Sequence, residues 1–378
     1  MRKMTKLAGL ALAASMLAST AYAAENQAAF DFEKDDCGFI PIYVDYPGGE
    51  GVDEFYELRY GQETVPIDGA GKGLFLSGNN HSDDLFMGCY KELAGFGPGQ
   101  LYAFHVTFRL ATQVDGGMIG VGGSPGASVY VKGGIAMEEP GREQDGLGYY
   151  RLDLDKGNQG QGGTDLTLLG NLEKEETVRP GEYEWKEFSF DARARADAEG
   201  RLWLALGTDS GFEAVSSYYL DDILLSWSET ADEIITRGEA VRRLYDDLRP
   251  AEEDTPNFTD VEESSPYWKA LSWAQKNRLV SGYGDGVFGP EDPLTVEQAA
   301  AILYRYAGSP AVKWDGVSIE ASDWAEEAII WGIGNGLISE EDGADGGKPI
   351  DEFSFTRAWG KVRAAQAHLC QSLYKQHP

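Results

Sequence analysis

Asn79, Asn80, His81, Asp83 and Asp84 crowd into six residues between two apolar runs. Such a set can hydrogen-bond sugar hydroxyls, ligate a cation, or pair an imidazole with an acid as a general base. The same residue types are common turn formers, so the segment alone does not choose between these roles. Cations of a different character come later. Arg237 follows Thr236, and Arg357 follows Thr356, each at the head of a helical pattern. A guanidinium there, beside unpaired amides and the positive end of the helix dipole, suits a carboxylate or phosphate. The chain holds four histidines, no zinc-type spacing and no nucleophile elbow. Gly120 to Pro125 is glycine-rich but opens no helix, so it is no phosphate loop.

These residues need scaffolds, and the chain supplies two. From about Gln27 to Trp227, runs such as Tyr102–Leu110, Trp185–Phe190 and Tyr218–Leu225 alternate with period two and are separated by glycine-rich turns. Eight or more such runs predict an antiparallel β-sandwich over residues 24–227. Ser228 to Glu233 is polar and acidic and reads as a linker. Beyond it the period becomes 3.6, with helices expected at Thr236–Leu248, Ser265–Asn277, Thr295–Tyr306, Asp323–Asn335 and Thr356–Leu369. The expected organisation is therefore multidomain: a sandwich, then an all-α region over 234–378. Residues 1–23, with Arg2, Lys3 and Lys6 before a short apolar run and Ala21-Tyr22-Ala23 at its end, read as a signal peptide.

The helical region repeats itself. Ile235-Thr236-Arg237-Gly238-Glu239-Ala240 is echoed by Leu294-Thr295-Val296-Glu297-Gln298-Ala299 and by Phe355-Thr356-Arg357-Ala358-Trp359. The threonines stand 59 and 61 residues apart, which marks one supersecondary unit used repeatedly. Capping boxes alone explain Thr236 with Glu239 and Thr295 with Gln298. The wider constellation is more specific: Phe258-Thr259-Asp260-Val261, a helix bearing Trp268 and Trp273, then Gly282-Tyr283-Gly284-Asp285-Gly286 and Leu294-Thr295. It resembles the S-layer homology (SLH) domain. The resemblance covers roughly 234–370 as one half and two fuller repeats. It implies a three-fold bundle of helices, with grooves that bind an anionic, pyruvate-bearing secondary cell-wall polysaccharide. The groove residues it implies are Arg237, Trp273, Gly282, Asp285 and Arg357. The chain departs from the pattern where Val296 replaces the middle arginine, Trp359 replaces the third glutamate, and Ser339 to Gly343 stands where the glycine turn belongs.

The first half resembles jelly-roll carbohydrate-binding modules, through Gly95-Phe96-Gly97-Pro98-Gly99-Gln100-Leu101-Tyr102, Trp185 to Phe190 and Tyr218 to Ile223. That resemblance implies an extracellular glycan ligand, for which Asn79, Asn80, His81 and Asp84 are the candidates. It also implies a structural calcium joining first and last strands, with Glu33 and Asp222 at the matching positions. Six to eight oxygens are needed for calcium, so two carboxylates only begin a site. The reading is non-enzymatic: an exported, wall-attached protein displaying a sandwich. A jelly-roll polysaccharide lyase or glycosidase built on His81, and a purely structural envelope protein, are the alternatives.

Charge narrows the partners. The net charge of -31 repels nucleic acid and anionic lipid. No long apolar stretch follows the leader, so no membrane insertion is expected after its removal. Of three cysteines, Cys37 and Cys89 are expected to pair after export, with Cys370 packing in the last helix.

Overall fold

The computed structural model describes residues 26–175, 179–250, 258–312 and 319–375, the last nine by backbone alone. The expected signal peptide and the Cys370 side chain lie outside what is described. In chain order the elements are β1 (Asn26–Phe30), β2 (Ile40–Val44), the short helix α1 (Val52–Phe55), β3 (Arg59–Thr64), β4 (Lys72–Asn79), β5 (Leu85–Ala94), β6 (Leu101–Thr112) and β7 (Val129–Ala136). They continue with β8 (Arg142–Gln144), β9 (Tyr150–Leu152), β10 (Thr167–Asn171), β11 (Glu184–Arg195), β12 (Arg201–Ser210) and β13 (Val215–Glu229). Helices follow: α2 (Arg237–Leu248), α3 (Trp268–Lys276), α4 (Val296–Tyr306), α5 (Glu326–Gly334), α6 (Glu340–Gly343) and α7 (Glu352–Lys375).

Two antiparallel sheets face each other. One runs β11-β6-β13-β4-β3, with β1 added on β13; the other runs β10-β7-β12-β5-β2. In β6, Tyr102, Phe104, Val106, Phe108 and Leu110 enter the core, whereas His105, Thr107 and Arg109 do not. That is the alternation of a sheet with one wetter face. The second sheet is covered on both faces. Leu154 and Leu166, from the connection after the β8–β9 hairpin, pack on Ile42, Val44, Phe86 and Trp203 of its outer face. Strand β13 extends through Glu229, past the expected boundary at Trp227.

The expected disulfide does not form: Cys37 and Cys89 are both free thiols. Cys89 lies mid-strand in β5 with its side chain in the sandwich core. Cys37 sits in the turn after β1 in a left-handed conformation (φ 53°) and only lines the edge of that core.

The helical region is organised by a ring of backbone hydrogen bonds. Leu294 N donates to Ile235 O (2.9 Å), Ile350 N to Leu294 O (2.9 Å), and Ile235 N to Ile350 O (3.3 Å). The ring makes Thr236, Thr295 and Asp351 equivalent. Thr236 and Thr295 cap α2 and α4, but the expected reciprocal box forms only at Thr295 with Gln298; the Glu239 carboxylate turns to Arg242 and Arg243 instead. The third unit differs. Helix α7 begins at Glu352, and Asp351 receives the amide of Ser354 (2.9 Å), so Thr356 lies inside the helix. Glu352, not Arg357, therefore occupies the position of Arg237.

The two regions touch. Arg193 pairs with Glu352 (2.6 Å), Arg195 pairs with Asp232 (2.8 Å) and Asp351 (3.2 Å), and Arg357 pairs with Asp165. No helix among the described residues is long and apolar enough to cross a membrane.

Candidate functional site

Arg237 opens α2, directly after the capping threonine, yet it is 5 % exposed. Its Nε donates to Phe288 O (2.9 Å) and its Nη2 to Ser281 O (3.3 Å). The rings of Tyr283 and Phe288 each lie 4.4 Å from the guanidinium carbon, a cation–π sandwich. Burial holds the guanidinium below the usual arginine value, while Asp292 and Asp260 favour its charge from a distance. The Asp260 carboxylate fixes the turn that carries Phe288 by accepting the amides of Phe288 (2.9 Å) and Gly289 (2.7 Å).

This arginine faces a cavity of about 370 Å³, lined also by Gly282, Tyr283, Gln298, Arg305 and Trp324. Gly282 is required there because a Cβ would meet Val287 O at 2.3 Å. Arg305, on the last turn of α4, gives one donor to Leu279 O (3.1 Å), and burial lowers its pKa as well. Among the described residues neither guanidinium makes an ion pair with a carboxylate. Trp324 stands at the rim, 54 % exposed. Arg237 is buried and Arg305 half-buried, and among the described residues both donate only to carbonyls; an anion entering the cavity would meet both cations.

The other expected groove residues are dispersed. Asp285 occupies the left-handed centre of the glycine turn (φ 50°), outside the cavity lining. Trp273 packs edge-on to Tyr245 at 6.0 Å, and Trp331 packs on Tyr304 at 5.6 Å in the next unit. Arg357 points away to Asp165 of the sandwich. Arg305 and Trp324 were not foreseen. Arg305 reads in the sequence as an ordinary basic residue in a last helical turn.

In the sandwich the segment 79–84 divides. Asn80 is buried and donates to Ser210 O (2.8 Å) and Phe212 O (3.1 Å), which pins two loops together. Asn79 donates to the Glu57 carboxylate (2.9 Å). His81 is exposed and stacks on the exposed ring of Phe55 at 4.2 Å. Asp84 turns inward, to a cluster that sequence reasoning missed. Asp209, fully buried on β12, accepts Lys132 Nζ (2.9 Å), Lys156 Nζ (2.9 Å) and Gln159 N (2.8 Å). Asp45 accepts Lys156 (2.9 Å) and Arg151 (2.7 Å). Burial, with Asp45 and Asp209 adding to it against Lys156, pushes the Asp84 carboxyl up to about 7. The carboxylates of Asp45, Asp84 and Asp209 approach within 4.8 Å of one another, the spacing of a metal group. Three cations already balance them.

Glu33 and Asp222 lie at the opposite sheet. Glu33 accepts the amide of Lys72 (3.1 Å), and Asp222 sits on a bulge of β13 (φ 47°), paired with Arg109 (2.5 Å). The neighbouring Asp221 is buried with one carboxylate oxygen unpartnered, and burial pushes its pKa up to about 6.

Residues 257–300 match the family model of the S-layer homology domain. No curated protein matches the chain. Among solved structures, the chain is similar to the CBM22-1 xylan-binding domain of Xyn10C from Paenibacillus barcinonensis: 13 % identity over 56 % of this chain and 100 % of that one, TM-score 0.30. It is also similar to the mannan-recognising carbohydrate-binding module TmCBM27, at 11 % identity over 55 % and 100 % of the two chains, TM-score 0.29. A third is the K1 cleaved adhesin domain of Lys-gingipain from Porphyromonas gingivalis W83, at 11 % over 53 % and 97 %, TM-score 0.26.

Proposed function

We propose that this is an exported protein held at the cell wall by its helical region, which binds an anionic wall polysaccharide in the Arg237 cavity. One observation carries the reading. Arg237 is buried, Arg305 is half-buried, both line one cavity, and neither has a carboxylate partner among the described residues. A charge kept out of water without a counter-charge is costly, and a bound carboxylate removes that cost. Tyr283 and Trp324 supply flat apolar faces beside the cations, as a sugar ring bearing an acid requires. The S-layer homology match over 257–300 supports wall association. The full chain is expected to sediment with purified cell walls, less so as salt rises. Sedimentation unchanged in Arg237→Ala would overturn the assignment of this cavity.

The sandwich, in this reading, presents a carbohydrate-binding surface away from the wall. His81 on Phe55 is the outward-facing part of the expected glycan set. A calcium ion joining Glu33 and Asp222 completes the proposal, and it requires Asp222 to exchange Arg109 for the ion. Melting the full chain in millimolar calcium and in chelator tests it, since an ion bound to the native state raises the midpoint. Equal midpoints reject the ion.

A further inference from the structure

Gln298 follows the capping Thr295 by three residues, as Glu239 follows Thr236. The two side chains behave differently. The Glu239 carboxylate is held by Arg242 (2.7 and 2.9 Å) and Arg243 (3.2 Å) of its own helix. Gln298 Oε1 instead accepts the amide of Thr295 (3.3 Å), while the Gln298 amide donates to Thr295 Oγ1 (3.3 Å). A backbone N–H can be met only by the oxygen of a carboxamide, so the cap fixes which end of the Gln298 side chain is which. The NH2 group is left over, and among the described residues nothing accepts from it.

Gln298 also lines the Arg237 cavity, whereas Glu239 does not. With Ala301, Ile302 and Arg305 it falls at i, i+3, i+4 and i+7, so one face of α4 forms a wall of the cavity. None of the lining residues is an aspartate or a glutamate. The side chains with polar ends are Arg237, Ser281, Tyr283, Gln298, Arg305 and Trp324, and every one of them can donate a hydrogen bond. Glutamate closes a capping box as readily as glutamine, and an acid in the first turn suits the helix dipole. The helix start therefore does not call for an amide at 298, but the cavity does. A carboxylate there would give the two guanidinia an internal counter-charge and set a like charge against an incoming acid.

We infer that Gln298 is a ligand-binding and specificity-determining residue of the Arg237 cavity. Anchored by the cap through its oxygen, it donates its NH2 group to the acid group of the bound polymer and keeps the cavity free of a built-in anion. This rests on the wall-binding reading of that cavity and adds a third donor to its two arginines. Exchange of that one nitrogen for oxygen removes the preference for an anion while the cap stays closed.

The test is sedimentation of the full chain with purified cell walls, beside thermal melting of the same proteins. Gln298→Glu should bind walls at least ten-fold more weakly, with a melting midpoint equal to or above that of the wild type. Gln298→Met removes the donors without adding charge and should weaken binding several-fold. Glu239→Gln, the reverse exchange on α2, should leave wall binding unchanged. Wild-type binding in Gln298→Glu or in Gln298→Met, where Arg237→Ala has lost it, would overturn the role of Gln298 and leave the cavity as the wall site. Weak binding with a lowered midpoint in both Gln298 variants would reduce the residue to a cap, and equal weakening by Glu239→Gln would remove its tie to this cavity. Wild-type binding in Arg237→Ala would instead remove the cavity itself.

Discussion

The two halves of the molecule bury positive charge in opposite ways. In the sandwich, Lys132 is fully enclosed, and its ammonium meets Asp209 and the carbonyls of Lys156 and Gln161 at 2.6 to 2.9 Å. Lys156 bridges Asp45 and Asp209. Each buried lysine has its anion inside the protein. In the helical region, Arg237 is buried too, but among the described residues it donates only to carbonyls and stacks on ring faces. The first arrangement is complete and closes a sheet face under the 153–166 connection. The second has no carboxylate in contact among the described residues, only Asp292 and Asp260 acting from a distance. Burial of a cation is matched by a carboxylate in one half and not in the other among the described residues, and on the proposed reading a bound anion makes up the difference.

The largest effect should come from breaking the complete arrangement. Asp209→Ala leaves two lysines buried with one fewer anion, and removing one partner of such a set costs about 3–5 kcal/mol. Urea unfolding of the full chain should show this loss in the sandwich transition. Wall binding of the folded fraction should stay at the wild-type level. The converse experiment is Arg237→Ala. It removes a desolvated charge that has no internal anion, so stability should move by about 1 kcal/mol or less, because the lost hydrogen bonds and the relieved desolvation offset each other. Affinity for walls should fall at least ten-fold, about 1.4 kcal/mol. Loss of stability with binding retained would make Arg237 a second Lys132.

How far the sequence reveals this division depends on distance along the chain. Strands β6, β11 and β13 were legible because one face of their sheet is wetter and the period of two survives. In β5 every residue from Leu85 to Tyr90 is buried, and no alternation remains to read. The segment 79–84 was visible as polar, but only the fold shows Asn80 and Asp84 turned inward. The threonine caps at Thr236 and Thr295 were local and legible, though Glu239 does not close its box because two arginines on the same helix take its carboxylate. The third unit misled because Thr356-Arg357 spells the expected phrase five residues too late. The true start, Asp351-Glu352, shares the geometry of the phrase but not its letters. The anion for Lys132 lies 77 residues away, beyond any local pattern.

Asp84 allows a finer test of the closed cluster. It faces Asp45, Asp209, Lys156 and Arg151, and its folded pKa of about 7 lies above the ordinary carboxylate value. The folded state therefore binds this proton more tightly than the unfolded chain does. The stability it contributes is full below the unfolded pKa of about 4 and is lost as pH rises through about 7. Wild-type protein should lose stability relative to Asp84→Asn between pH 5 and pH 8, since asparagine stays neutral throughout. Parallel stability curves for the two proteins would place Asp84 in water rather than in the cluster.

The smallest effect separates the interior of the sandwich from its edge without altering either. Burial raises the thiol pKa of both Cys37 and Cys89, but only Cys89 is wholly enclosed in the core; Cys37 is partly open at the turn after β1. A neutral maleimide should therefore modify Cys37 slowly in the folded protein and Cys89 only on unfolding. The rate at Cys89 then reports how often the sandwich core opens, and Asp209→Ala should accelerate it while Arg237→Ala should not. A disulfide between the two would appear as protection of both thiols in unreduced, denatured protein. That result would contradict the separation seen here, where one thiol sits mid-strand on β5 and the other lies in a turn at the edge of the core.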